Sequence, residues 1–245
     1  MRDFLDVLKL HQKFGFPCGE FPSLLEDTIF TFRHRFLHEE LDEYHLAYGR
    51  RNMVGVVDAL LDFVYVACGT ALFLGAPRCG SQSQWPSFRT ACRALVAQGI
   101  VDEKHSPPIF LSEPLHIYTL HSMRSRIEAF NNAYLSACHG DDEEGMVLYL
   151  MLQTLKQCAD EAYKAAAIMN IPWEKCWVHV AEANLKKMPG QVPKRNAKYD
   201  LVKPVGCKAP EAAIAAELVM EGWHIPPDME VDNVTGKVRM LKVLA

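Results

Sequence analysis

The chain has 245 residues, 49% of them hydrophobic, and a formal net charge of −4. That is enough apolar material for one large core, and too little positive charge for a surface that binds nucleic acid in bulk. Eight cysteines, at 18, 68, 79, 92, 138, 158, 176 and 207, include no CxxC pair, which argues against a zinc ribbon or a dense disulfide framework and fits a reduced cytoplasm.

The opening MRDFLDVLKLHQKFGFP mixes charge with apolar residues at helical spacing and lacks the apolar core and cleavage site of a secretory signal. It predicts a short amphipathic helix over 3–14, ended by Gly15 and Pro17. A second helix is expected over 24–48, stopped by Gly49, and a third over 54–74, with Gly75 as its cap and Pro77 as the stop. The short connection at Arg50 and Arg51 folds these two into an antiparallel hairpin. Residues 63–77 carry no charge, but the run falls short of the roughly 20 residues a spanning helix needs. A buried helix is the reading, with no membrane contact.

Residues 78–114, with Pro86, Pro107, Pro108 and Pro114, read as a partly irregular insertion holding a helix near 88–98. Helical rhythm returns over 115–138 in Leu120, Met123, Ile127, Phe130 and Tyr134, then over 142–169 and 173–187. Beyond Gly190 the chain is rich in Lys, Pro and Gly up to Pro210; a helix over 211–221 and a small hairpin with a turn at Thr235 and Gly236 follow. The fold class is all-α, an antiparallel helix bundle. Residues 1–190 are read as its domain and 191–245 as an extension packing on it.

One stretch, 33–77, breaks the apolar pattern. Glu39, Glu40 and Glu43 share about a third of the circumference of their helix, interleaved with Phe36 and Ala47, where a solvated face would pair opposite signs. On the next helix Asp58 and Asp62 stand one turn apart among Leu, Val, Phe, Ala and Cys, and Tyr65 and Gly69 continue their stripe. Buried carboxylates are costly unless compensated, and several together call for a hard divalent cation such as Mg²⁺. The bland alternatives are real. EExxE is common on solvated helices, and Arg33, Arg35, Arg50 and Arg51 lie near enough in sequence to pair with the aspartates.

Four segments carry a family resemblance: HQKFGFP at 11–17, FLHEELDEYHLA at 36–47, DALLDFVYVACGTALFLGAP at 58–77, and WVHVAEANLKKMPG at 177–190 with KPVGCKAP at 203–210. On these the chain resembles the all-α nucleoside triphosphate pyrophosphohydrolases of the MazG and phosphoribosyl-ATP pyrophosphohydrolase-like superfamily. The family pattern is EExxE, then ExxD on the following helix. Glu39, Glu40, Glu43 and Asp62 fit it; the remaining position is Ala59, with Asp58 one residue before. The resemblance implies attack of water on the α-phosphorus of a nucleoside triphosphate. It gives Glu40, Glu43 and Asp62, with Asp58, as ligands for Mg²⁺ or for Mn²⁺ in its place, and Glu39 as the group that orients the water or takes its proton. It implies further that Asn184 and Lys187, with Lys203 and Tyr65, meet the substrate, and that the protein is a homo-oligomer, a dimer or tetramer.

DEAYKAAAIMNIP at 160–172 faintly echoes 62–77, which would make one chain a pseudo-dimer with a single acidic site. His11, Phe14, Trp173 and Trp177 are base-pocket or core candidates, and His179 reads as structural. Lys194, Arg195 and Lys198 read as surface charge. Two rivals remain open: a non-catalytic oligomerisation or regulatory protein, motivated by Ala59, and a di-iron bundle, for which only Glu113 with His116 and Glu221 with His224 have the Glu-x-x-His spacing.

Overall fold

The computed structural model describes residues 2–19, 21–76, 85–102, 108–140, 144–193, 195–225, 229–231 and 238–240. At its centre runs α3 (Met53–Phe73), in which every residue except Gly55, Asp58 and Asp62 is buried. Its composition of Val, Leu, Phe and Ala is long and apolar enough to cross a bilayer, yet protein covers it on all sides. Asn52 starts the helix by accepting a hydrogen bond from the Gly55 N–H at 3.0 Å. At its end Gly75 adopts φ +80°, and a Cβ there would lie 2.4 Å from the Phe21 carbonyl oxygen, so only glycine lets the chain pass.

Two hairpins surround this centre. α2 (Asp27–Gly49) folds back along α3 through Arg50 and Arg51, while α5 (Glu113–His139) and α6 (Glu144–Ile168) form the second pair. α6 packs on α3 and α5 on α2, so four long helices share one core. α1 (Arg2–Phe14), α7 (Trp173–Leu185) and α8 (Glu211–Met220) close over the remaining side of α3, and α4 (Phe88–Ala97) lies against α6. The all-α class follows directly from this arrangement.

Each helix expected from periodicity is present, with ends within a few residues of the proline and glycine signals. The exception to an irregular 188–202 is a two-stranded antiparallel pair, β1 (Met188–Pro189) with β2 (Leu201–Val202). Strands of two residues have no alternation to detect. The C-terminal hairpin forms as β3 (Met229–Val231) paired with β4 (Val238–Met240), Met229 opposite Met240. Its expected turn at Thr235 and Gly236 lies outside the described residues, as do Pro77, Cys79 and Lys194.

Candidate functional site

On α2 the inward stripe runs Leu37, Glu40, Leu41, Tyr44, and three of these are fully buried apolar or aromatic residues. The helical period therefore forces Glu40 inside, where it is 6% exposed. Across the hairpin interface α3 presents Asp58 and Asp62, its two charged residues. Glu40 Oε2 and Asp58 Oδ1 are sealed from solvent and have no hydrogen-bond partner among the described residues.

The electrostatics follow from that crowding. Burial, then repulsion from Asp62, Glu43 and Glu39, holds the Glu40 carboxyl well above its ordinary value, with Lys187 opposing. Burial and the charges of Asp62 and Glu211 do the same to Asp58, opposed by Lys203. Asp62 is raised by burial while Lys187, Lys203, hydrogen bonding from Asn184 and Arg195 pull it down. Left alone, these acids resist ionising together.

A cavity of about 570 Å³, counting its open mouth, begins at this acidic end. Glu40, Asp62 and Tyr65 line it from α2 and α3, and Asn184 and Lys187 from the end of α7. Asn184 is held by its own amide, which donates to the Val180 carbonyl at 3.1 Å. Away from the acids the lining becomes Phe16, Phe36 and Tyr199, and at the far end His11 and Arg33 meet Gly69. Trp177, fully buried, stacks beneath Tyr65 and donates to Asp6 at 3.2 Å, so it acts as support rather than lining. Trp173 is core, and Phe16 lines the cavity with Phe14 packed behind it.

The other sequence candidates stand beside the cavity rather than in its wall. Glu43 is exposed on α2, and Asp58 and Lys203 lie on the side of Asp62 towards α8. Glu39 reaches Arg195, whose Nε lies 3.8 Å from its Oε2. Sequence reading placed Arg195 on the surface, yet its guanidinium sits 4.1 Å over the Phe36 ring and 3.3 Å from Asp200. The loop between β1 and β2 carries it there, together with Asp200, which accepts from the Val192 and Leu201 N–H groups. Arg33, adjacent in sequence to the acids, pairs with neither aspartate. Its Nε donates to Thr70 Oγ1 at 3.0 Å and its Nη2 to the Val66 carbonyl at 2.6 Å.

The rival metal residues are engaged separately. His116 bonds Tyr44 and His45, Glu221 pairs with Lys175, and His224 is exposed. His179 ties α7 to α8 through Glu217 at 3.2 Å, a structural role. Among the described residues no three His, Cys, Asp or Glu side chains are already gathered as a metal shell. The donor set nevertheless fits a hard cation: several carboxylates, two buried oxygens without partners, and mutual repulsion that a divalent charge would relieve.

Residues 7–77 match the family model of phosphoribosyl-ATP pyrophosphohydrolase. The match takes in the second half of α1, both acidic helices and the EExxE pattern. Over this segment the chain is similar to that family, whose members are pyrophosphohydrolases, hydrolases acting on phosphoric anhydrides, within the MazG-like all-α superfamily. No curated protein and no solved structure matches the chain.

Proposed function

We propose that the chain hydrolyses a nucleoside triphosphate to the monophosphate and pyrophosphate, with Mg²⁺ as its cofactor. The observation that carries this reading is Glu40: a buried carboxylate with an unpartnered oxygen, facing Asp62 in a cavity that Lys187 and Asn184 also line. Stability alone gives no reason for such an acid there.

Glu40, Glu43 and Asp62, with Asp58 behind them, would hold the metal. Its chemistry, when bound, is to neutralise the phosphates and lower the pKa of water. Lys187 and Asn184 hold the phosphate tail at the cavity mouth, Lys203 adds charge behind Asp62, and Tyr65 borders the sugar. Water attacks the α-phosphorus, the bond to the bridging oxygen breaks, and pyrophosphate leaves. Glu39, steadied by Arg195, takes the proton of the attacking water.

Pyrophosphate release over a panel of ribo- and deoxynucleoside triphosphates, with Mg²⁺ and with Mn²⁺, tests this. Turnover of at least one substrate is expected, falling at least about a hundredfold in Glu40→Gln. The absence of turnover across the panel, with parent and Glu40→Gln binding nucleotide alike, supports the non-catalytic reading that Ala59 motivates and ends this one.

A further inference from the structure

The far end of the cavity has a chemistry of its own, and it is fixed by two side chains that are almost completely buried. His11 is 2% exposed and Arg33 is 6% exposed. The Nδ1 of His11 lies 3.0 Å from the Pro17 carbonyl oxygen, which can only accept, so Nδ1 carries the proton. Burial first, and then the charge of Arg33, lower His11 to about 4. At neutral pH the ring is uncharged, and its Nε2 is an acceptor. Arg33 is the opposite. Two of its five N–H groups go to Thr70 and Val66, and a guanidinium can only donate.

Gly69 brings the two together. A Cβ at this position would lie 2.9 Å from Arg33 Nη2 and 3.3 Å from His11 Nε2. The two side chains therefore close directly over the bare backbone of Gly69, a charged donor beside a neutral acceptor, and both line the end of the cavity. The spacing is informative as well. Gly69 lies seven residues beyond Asp62, about 10 Å along α3 on the same side. One helix therefore sets the acidic end and this donor–acceptor pair two turns apart, and Phe16 packs on His11 and Phe36 on Arg33.

We infer that Arg33 and His11 read the edge of a nucleobase, and that they select a lactam edge, a carbonyl beside a ring N–H, as in uracil, thymine, guanine and hypoxanthine. This rests on the nucleotide reading above and adds specificity to it. The carbonyl oxygen has two lone pairs and takes more than one N–H of the guanidinium, a charge-assisted contact. The lactam N–H donates to His11 Nε2. The amidine edge of cytosine or adenine offers a ring nitrogen with one lone pair, and its amino group brings a second hydrogen that finds no acceptor in this pair; a buried donor left unsatisfied is costly. Arg33 and His11 are specificity-determining residues; neither takes part in the phosphoryl chemistry.

Calorimetric binding to the whole chain, in Mg²⁺, of the α,β-imido analogues of dUTP, dCTP, dGTP and dATP separates the possibilities without turnover. Within each ring size that binds, the lactam base is expected to bind at least tenfold tighter than the amidine base. The 3-methyl derivative of the uracil analogue, which lacks the ring N–H, is expected to lose that advantage on the unaltered protein, so folding does not enter. His11→Asn, whose amide can turn either end to the cavity, is expected to bring lactam and amidine bases within threefold. Binding of the analogues without preference, or undiminished binding of the 3-methyl derivative, overturns this inference and leaves the hydrolase reading standing. Failure of all four analogues to bind overturns both.

Discussion

Glu40 concentrates the conflict between folding and function in one side chain. Its neighbours on the inward stripe, Leu37, Leu41 and Tyr44, have no exposed surface, so an apolar residue at 40 would complete a core that the carboxylate interrupts. Burial and the charges of Asp62, Glu43 and Glu39 raise it above its unfolded-state value. The folded chain therefore keeps a proton that the unfolded chain has lost, and stability falls as pH rises from about 4.5 through the folded-state value. Glu40→Gln is neutral throughout and escapes that loss. In metal-free solution the variant is expected to melt 2–4 °C above the parent at pH 8, the equivalent of about 1 kcal/mol in a chain of this size, and the gap should close towards pH 4.5. Added Mg²⁺ should stabilise the parent more than the variant at pH 8. Melting curves against pH read this, and an equal or lower melting point for the variant at pH 8 would contradict the assigned strain. Activity and apo-protein stability then move in opposite directions at one position.

Glu40 and Asp62 were visible in the sequence because carboxylates in an apolar run stand out against a helical period, and Asn184 and Lys187 through the family resemblance of the NLKK segment. Arg33 and Arg195 were not. An arginine carries the same letter on a solvated face, over a phenylalanine ring, or at the end of a cavity. What decides is the path of the loop between β1 and β2 and the close approach of Arg33 to Gly69, and both are tertiary facts. The helices were legible for the converse reason: their stripes, glycine caps and prolines are local signals.

At the scale of elements, α1 matters because it delivers His11 to the cavity while its other end is anchored elsewhere. Asp3 is buried and accepts from the Tyr163 hydroxyl at 2.7 Å and the Trp173 Nε1–H at 3.0 Å. One carboxylate thus fastens α1 to α6 and to the start of α7. Asp3→Ala leaves two buried donors without an acceptor, and each such loss is worth about 1–3 kcal/mol. The expected cost is about 2–4 kcal/mol in urea unfolding, with Asp3→Asn, which keeps an acceptor oxygen, losing less. Equal losses for Ala and Asn would show that packing, not the hydrogen bonds, fixes the helix. The C-terminal side of the site is held differently, by the contact of His179 Nε2 with Glu217 at 3.2 Å and by Ile214 and Leu218 of α8, which have no exposed surface.

At the scale of the molecule, the second hairpin does the work of enclosure. α6 covers α3 and α5 covers α2, so the apolar flank of the acidic pair is closed by this chain's own later residues. The later hairpin supplies Leu155, Ala159, Ala162, Tyr163 and Ala166 as fully buried packing, and the EExxE cluster with Asp58 and Asp62 stays on the first hairpin. The residues lining the cavity come from α1, α2, α3, the end of α7 and the loop before β2, all within one polypeptide. One copy is therefore expected to suffice for the site. Contacts between copies would instead use outer residues such as Tyr118, Met146 and Tyr149, which are exposed on α5 and α6. Hydrolysis per chain is therefore expected to stay constant as the protein is diluted from micromolar to low nanomolar concentration, whatever mass light scattering reports at the higher end. A rate per chain that falls in proportion to dilution, and recovers on concentration, would mean that a neighbouring copy completes the site.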